Sequence, residues 1–365
     1  VRLSIIRNRI TVYKVETLSL CEDCYRHIPA IRFERNGQIW LGKSCKWHGY
    51  KEHLVEPDGE FYLNYNYARK ALTSYFLDIT NHCNLNCPHC YQQPDNKSKD
   101  PSIDYIISLI KSYPDDGYPI SLVGAEPTTR KDLPELIRAI NALPGKSRGI
   151  MVLTNGVNLA DGEYTSQFKE FTNVMWTIGL NHPDYQGHTV RRKQMAGIKN
   201  CVESKLVIKN ISYTLLDLTQ LEYCMEEIQE FGNGICQQYR IRCGADIGRF
   251  PGGPQIFLSD LIKAVKAICD QKGWSYRTDP MHGNRAHYTV FINDIMIKVI
   301  QWPDVKTLDL KEVQTEALAD ILPGKPPSPL VHQVILRDQA VNKGLPLYDT
   351  IPQEYIDNYG NIRDQ

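Results

Sequence analysis

The sequence predicts an α/β protein: a partial (β/α)6 parallel barrel, preceded by a zinc-ribbon-like N-terminal metal module and followed by a β-rich C-terminal extension. Three observations predict it. Short apolar runs alternate with helical stretches from Ser74 to Cys243, and parallel strands need such covering crossovers. A pattern of three cysteines and a histidine lies between Cys21 and His48. After Trp274 the runs become closely spaced strands bounded by turn residues. The expected divisions are a metal-binding module over 1–65, the barrel core over 66–255 and a substrate-capping extension over 256–365. A chain of 365 residues is long enough for one large domain with an appendage, or for two ordinary ones.

The N-terminal pattern reads CxxC, twenty intervening residues, then CxxH: Cys21, Cys24, Cys45 and His48. Two knuckles at that separation bring three thiolates and an imidazole to the corners of a tetrahedron, around a hairpin turning at Asn36-Gly37. Such a closed Cys3His site stabilises folding, by roughly 10 kcal/mol or more in small zinc modules, and leaves chemistry elsewhere. Zinc suits this ligand set. A mononuclear rubredoxin-like iron, or a redox pair at Cys21 and Cys24, is the rival reading.

The core begins with the strand "SYFLDIT" at 74–80 and a helix near 102–112. Next come "PISLVG" at 119–124, a helix at 130–143, "GIMVLTNG" at 149–156 and a polar helix near 162–171. "VMWTIGLN" at 174–181, a helix near 188–200, "KLVIKNISYTLL" at 205–216, a helix near 218–231 and "QYRIRC" at 238–243 complete it. Six strands of this kind make about three quarters of a barrel, whose working groups sit at the carboxyl ends of the strands. Just past the first strand stand Cys83, Cys87 and Cys90, spaced CxxxCxxC. Three cysteines hold three irons of a four-iron cubane and leave the fourth open to an exogenous ligand.

This spacing resembles the signature of the radical S-adenosylmethionine superfamily. The resemblance implies a [4Fe–4S] cluster held by Cys83, Cys87 and Cys90, with S-adenosylmethionine chelating the open iron. It implies reductive cleavage of that cofactor to a deoxyadenosyl radical that abstracts substrate hydrogen, with a one-electron reductant such as flavodoxin or ferredoxin as partner. "LVGAEPTTR" is similar to the family's GGEP motif, so Gly124, Ala125, Glu126 and Pro127 are implied to receive the cofactor's amino group. Ala125 replaces a glycine, a change tolerated unless that position needs a positive φ. By the same resemblance Thr154 and Asn155 in "VLTNG", Asn181 as a ribose contact, His89 against the adenine and Arg249 toward the carboxylate are cofactor-binding. The segment 18–62 resembles the leader of a subgroup that includes archaeal tetraether lipid synthases and pterin-modifying radical methylases.

Plainer readings stand beside these. Glu126 suits a helix cap, Asn155-Gly156 a turn and Arg249 a solvated surface charge. His82 and His182 read as structural hydrogen-bonders. Cys201, Cys224, Cys236, Cys243 and Cys269 are scattered singly, where free cysteine acts as a small buried hydrophobe, an auxiliary cluster being the sharper alternative. Beyond the core, strands at 274–280, 286–292 and 295–303, with a turn at Asn293-Asp294, form a β-rich flap. Its His282, Asn284, Arg285, His287, Tyr288 and Trp302 are candidate contacts for a polar substrate. A proline-rich connection at 322–333 leads to a tail that wraps the core or stays mobile.

With 42 Lys plus Arg against 42 Asp plus Glu, no basic face announces nucleic acid. The sequence lacks a signal peptide pattern and any run of ~20 apolar residues that would span a bilayer, and the expectation is a cytoplasmic protein. The function expected is C–H functionalisation, by C–C coupling or methylation-type chemistry, of a small-molecule or lipid-like substrate. The alternative is a maturase acting on a ribosomally made peptide.

Overall fold

The structure, a computed structural model, describes residues 13–23, 27–64, 75–90, 94, 96–97, 99–112, 119–145, 149–244, 255–284, 287–301, 306–307 and 309. Cys24, Arg249, Arg285, Trp302, the segment 322–333 and the tail after it lie outside them, as do the side chains of His282, Asn284 and His287.

Four antiparallel strands come first: β1 (Lys14–Leu20), β2 (His27–Arg35), β3 (Gln38–Cys45) and β4 (Gly49–Glu56), in sheet order β1-β2-β3-β4. The hairpin between β2 and β3 turns at Asn36 and Gly37, both with positive φ (55° and 75°), as the two-residue turn that matches strand twist requires. The short helix α1 (Gly59–Asn64) follows.

The second sheet contains β5 (Tyr75–Asp78), β6 (Ile120–Val123), β7 (Ile150–Thr154), β8 (Val174–Asn181), β9 (Val207–Leu215) and β10 (Gln238–Cys243), each parallel to the next. Between them lie α2 (Ile103–Ser112), α3 (Leu133–Asn141), α4 (Gly162–Ser166), α5 (Pro183–Gln186), α6 (His188–Glu203) and α7 (Leu221–Phe231). Alternate strand residues such as Leu77, Leu122, Val152, Trp176, Tyr213 and Ile241 join helix residues in one buried core. The helices therefore cover one face, and the strand residues between these positions look the other way.

The six parallel strands expected of a partial barrel form part of an open sheet. After β10, helix α8 (Leu258–Lys272) crosses the covered face, and β11 (Tyr276–Asn284), β12 (His287–Ile292) and β13 (Ile295–Ile300) follow. β13 pairs parallel with β10, and the order β11-β12-β13-β10-β9-β8-β7-β6-β5 does not close on itself. The strands expected to make a separate flap instead lengthen the main sheet, because β13 satisfies the free edge of β10. Asn293 and Asp294 make the tight turn expected between β12 and β13, with φ of 47° and 66°.

The two sheets meet through polar contacts. Ser259 Oγ at the start of α8 donates to Glu56 Oε1 at 2.5 Å, and Lys263 pairs with Asp58 at 2.8 Å. On the other side Asp309 accepts from Thr17 and pairs with Arg32 at 3.0 Å. No helix among the described residues is long and apolar enough to cross a membrane.

Candidate active site and metal centre

The carboxyl end of β6 is shaped by its glycine. Gly124 has φ of 125°, and a Cβ there would lie 2.4 Å from the Thr80 carbonyl oxygen, so only glycine fits. Ala125 is not among the positive-φ residues, which is why alanine is tolerated; its N–H donates to Thr80 O at 3.0 Å. The next amide, Glu126 N–H, donates to His82 O at 2.9 Å and ties the motif to the cysteine loop.

Glu126 is buried, at 1% exposure. Its Oε1 accepts from the Thr128 amide (3.0 Å) and hydroxyl (2.6 Å) and from the Thr154 hydroxyl (2.6 Å), and Oε2 accepts from the Asn155 amide (2.6 Å). Burial raises its pKa, and these donors pull the other way. The carboxylate thus caps the turn Pro127–Thr129 and also joins β6 to the end of β7. Both sequence readings of Glu126, cap and strand-end acid, meet in one residue.

Cys83, Cys87 and Cys90 are half-buried on the loop after β5. Burial above all pushes the Cys83 thiol up to about 12; the Leu85 amide pulls against it, and the negative charges of Glu126, Cys87 and Cys90 add to the push. Asn96 closes the loop, accepting from Cys83 N–H at 2.9 Å and donating to Cys83 O at 3.2 Å. His89 is held neutral, at about 4, first by burial and then by the charge of Arg242. Its ring stands edge-on to Tyr185, centroids 6.0 Å apart, and its Nδ1 is buried without a hydrogen-bond partner.

Asn155 is turned toward this loop. Its Nδ2 donates to Asn84 Oδ1 at 2.7 Å and lies 4.0 Å from Cys83 Sγ. Asn181 ends β8, where its carbonyl lies 3.5 Å from Arg191 Nη1.

Sequence reasoning missed two glutamines. Gln186, at the end of α5, donates Nε2 to Cys87 Sγ at 3.1 Å, from 99 residues along the chain. Gln194 on α6, fully buried, donates to Gln186 Oε1 (3.3 Å) and to the carbonyls of Asn155 (2.9 Å) and Gly179 (3.0 Å). No motif spacing signals either residue.

The N-terminal centre is tighter. Cys21 follows β1, Cys45 ends β3 and His48 lies in the turn to β4; their ligand atoms all lie within 4.8 Å of one another. His48 Nδ1 is 3.5 Å from Cys21 Sγ and 3.4 Å from Cys45 Sγ. Burial alone would raise the Cys45 pKa, but the Trp47 amide, His48 and Cys21 outweigh it and bring the thiol down to about 6. Behind the site, buried Lys43 pairs with Glu22 at 2.8 Å, and Lys51 and His53 complete the network.

Residues 77–219 match the radical SAM superfamily, and residues 13–57 match the HMPTM N-terminal zinc ribbon domain. The chain carries a radical SAM domain over residues 77–219. That makes it an enzyme of the radical SAM class. Its relatives include the 7,8-dihydro-6-hydroxymethylpterin dimethyltransferase of Methanocaldococcus jannaschii, 29% identical over 188 residues, which cover 42% of this chain and 37% of the relative. A probable GTP 3',8-cyclase of Methanococcus maripaludis is 30% identical over 175 residues, 45% of this chain and 57% of that one. The chain thus spans between about a third and just over half of the length of these relatives. Among solved structures, Streptococcus suis SuiB matches with a TM-score of 0.45 and 14% identity over 63% of this chain and 50% of that chain.

A radical SAM domain implies S-adenosylmethionine and a [4Fe–4S] cluster, and the zinc ribbon supports zinc at the N-terminus. The donor sets fit both. On the loop, the charges of Cys87, Cys90 and buried Glu126 all act on Cys83, and a cationic cluster would relieve that repulsion, although the three thiols are not gathered as closely as the ribbon ligands. In the ribbon, a thiol already drawn down beside an imidazole is ready for a single ion.

The scattered cysteines of this radical SAM chain behave as core residues. Cys201, Cys224, Cys243 and Cys269 are buried, and burial pushes the thiols of all five, Cys236 included, up to about 11 or 12. His82 accepts Glu126 N–H through its carbonyl, and His182 caps α5 by accepting Asp184 N–H at 3.4 Å. Both histidines make structural hydrogen bonds.

Proposed function

We propose that this chain functionalises a C–H bond of a small molecule, by methylation-type or C–C coupling chemistry. One observation carries the reading: a zinc ribbon of the pterin-methyltransferase type stands ahead of a radical SAM domain in the same chain. The similarity to the pterin dimethyltransferase makes a reduced 6-hydroxymethylpterin the first substrate to try. The cofactors, when bound, supply a one-electron cleavage of the sulfonium and a hydrogen-abstracting adenosyl radical.

The chain's residues divide the remaining work. Cys83, Cys87 and Cys90 hold the cluster, and Asn96 and Gln186 orient that loop through Cys83 and Cys87. The Gly124–Pro127 turn presents backbone carbonyls and Glu126 to the cofactor's amino group, with Thr154 and Asn155 fixing the carboxylate. Neutral His89 offers a flat face to the adenine, and the roles of Asn181 toward the ribose and of Arg249 toward the carboxylate are carried over from the family resemblance. Cys24 completes the ribbon site with Cys21, Cys45 and His48, holding zinc in preference to mononuclear iron. The division into a module over 1–65, a core over 66–255 and an extension over 256–365 is part of the same proposal, as is a flavodoxin or ferredoxin reductant.

The test is anaerobic turnover with candidate substrates deuterated at the reacting carbon, peptides included. Deuterium in deoxyadenosine is the expected result, and Glu126→Gln is expected to slow deoxyadenosine formation about 100-fold by displacing the amino group. S-adenosylhomocysteine without any deoxyadenosine would replace this reading with polar methyl transfer.

A further inference from the structure

The face of the main sheet opposite the helices carries a second constellation at its β10 end. Tyr239, Ile241 and Cys243 are buried in the helix-covered core, so Gln238, Arg240 and Arg242 look the other way. The parallel register sets Arg240 between Ser212 of β9 and Lys298 of β13. Three cationic side chains therefore share one face, two of them on one strand. Both arginines are partly exposed. Arg242 Nε donates to Thr214 Oγ1 at 2.9 Å.

Arg240 has only a neutral partner among the described residues. With the Gln238 amide oxygen turned toward it, that oxygen accepts from Nη2 at 3.1 Å and Nε at 3.3 Å. No acidic residue occurs anywhere on β8, β9, β10, β12 or β13. Burial first, and the like charge of Arg242 second, lower the Arg240 pKa to about 10, so it stays charged at neutral pH. A guanidinium largely withdrawn from water with only a neutral amide as its partner costs stability. Side by side, two such planar forks match the oxygens of a phosphate or carboxylate.

We infer that Arg240, with Arg242 and Lys298 beside it, binds an oxyanion group of the substrate, a phosphate or carboxylate, on the uncovered face of the sheet. Arg242 lies at the carboxyl end of β10, and the cysteine loop follows the carboxyl end of β5 in the same sheet, so the anion site opens on the same end of the sheet as that loop. The assignment of the anion to a substrate rests on the proposed radical chemistry and points to a phosphorylated or carboxylated form of the pterin, since hydroxymethylpterin itself carries neither group; anion binding itself is measured without turnover.

The full-length chain, loaded with zinc and reconstituted with iron and sulfide, is titrated calorimetrically at low salt with pyrophosphate, with malonate and with S-adenosylmethionine. At least one of the two anions is expected to bind, and Arg240→Gln is expected to weaken it about tenfold or more, as loss of a charged hydrogen bond does. S-adenosylmethionine binding stays unchanged. Without anion, Arg240→Met is expected to melt above the wild type, because an uncompensated charge has gone, and the anion no longer raises its melting temperature. A purely structural arginine would give a lower melting point instead. That result, or failure of both anions to bind, overturns the inference. Loss of S-adenosylmethionine affinity in Arg240→Gln would also sink it, because the anion would then be the cofactor's own carboxylate. If anion binding holds while the deuterium experiment fails, the radical reading falls and the site remains.

Discussion

The two cysteine clusters of this chain differ in how far folding alone prepares them. In the N-terminal ribbon, three ligand atoms converge within 4.8 Å and Cys45 is drawn down to about 6. On the loop after β5, Cys83 is pushed up to about 12 by burial and by neighbouring negative charge. The first site is set on paired strands, with the ladder of β3 and β4 fixing Cys45 opposite Gly49. The second is irregular backbone held by side chains from distant elements. A closed structural site is assembled by the fold that it stabilises; an open one leaves a position for an exogenous ligand.

Changing each cluster separately sharpens this contrast. Replacing Cys83, Cys87 and Cys90 together by Ala should abolish all four-iron absorbance after reconstitution while metal analysis still finds zinc. Full cluster signal in that variant would break the assignment. Next in size, Cys45→Ala or His48→Ala should remove the zinc and cost solubility or thermal stability, since metal binding in such modules is worth roughly 10 kcal/mol of folding. A wild-type protein carrying mononuclear iron instead would reverse the choice of metal.

Gln186→Leu probes the support that a distant side chain gives the open site. It removes the 3.1 Å N–H to Cys87 Sγ, and hydrogen bonds to the sulfurs help set cluster potential. The potential, followed by electron paramagnetic resonance without S-adenosylmethionine, should fall with iron content unchanged, and Gln186→Asn should recover part of the shift. Equal potentials would show that the glutamine only packs.

The smallest effect lies at the junction of the two sheets. Burial raises the Glu56 pKa against the pull of Ser259. A carboxyl raised above its unfolded value contributes stability in full below that unfolded pKa and loses it as pH rises through the folded one. Glu56→Gln should therefore melt higher than wild type at pH 7 and equally at pH 4. The same gain at both pH values would remove ionisation as the cause.

Much of the site was legible because its signals are local. Cys83, Cys87 and Cys90 lie within one loop, Asn36-Gly37 and Asn293-Asp294 mark their own turns, and alternating apolar runs placed all six parallel strands. Helix α8 was overlooked although Leu258, Leu261, Ile262, Val265 and Cys269 recur on one buried face, a helical period that the sequence does carry.

The sequence by itself determined the cysteine and histidine spacings and the turns on which the proposed chemistry rests, since such signals act over a few positions of chain. Only the tertiary structure decided that the sheet stays open, that Gln186 reaches Cys87, that Asn155 turns to the cysteine loop, and that Arg240 sits beside Arg242 and Lys298 with no acid on those strands. These depend on strand order and register, which bring residues together from far along the chain, and no local pattern encodes which charge a folded neighbour will leave uncompensated.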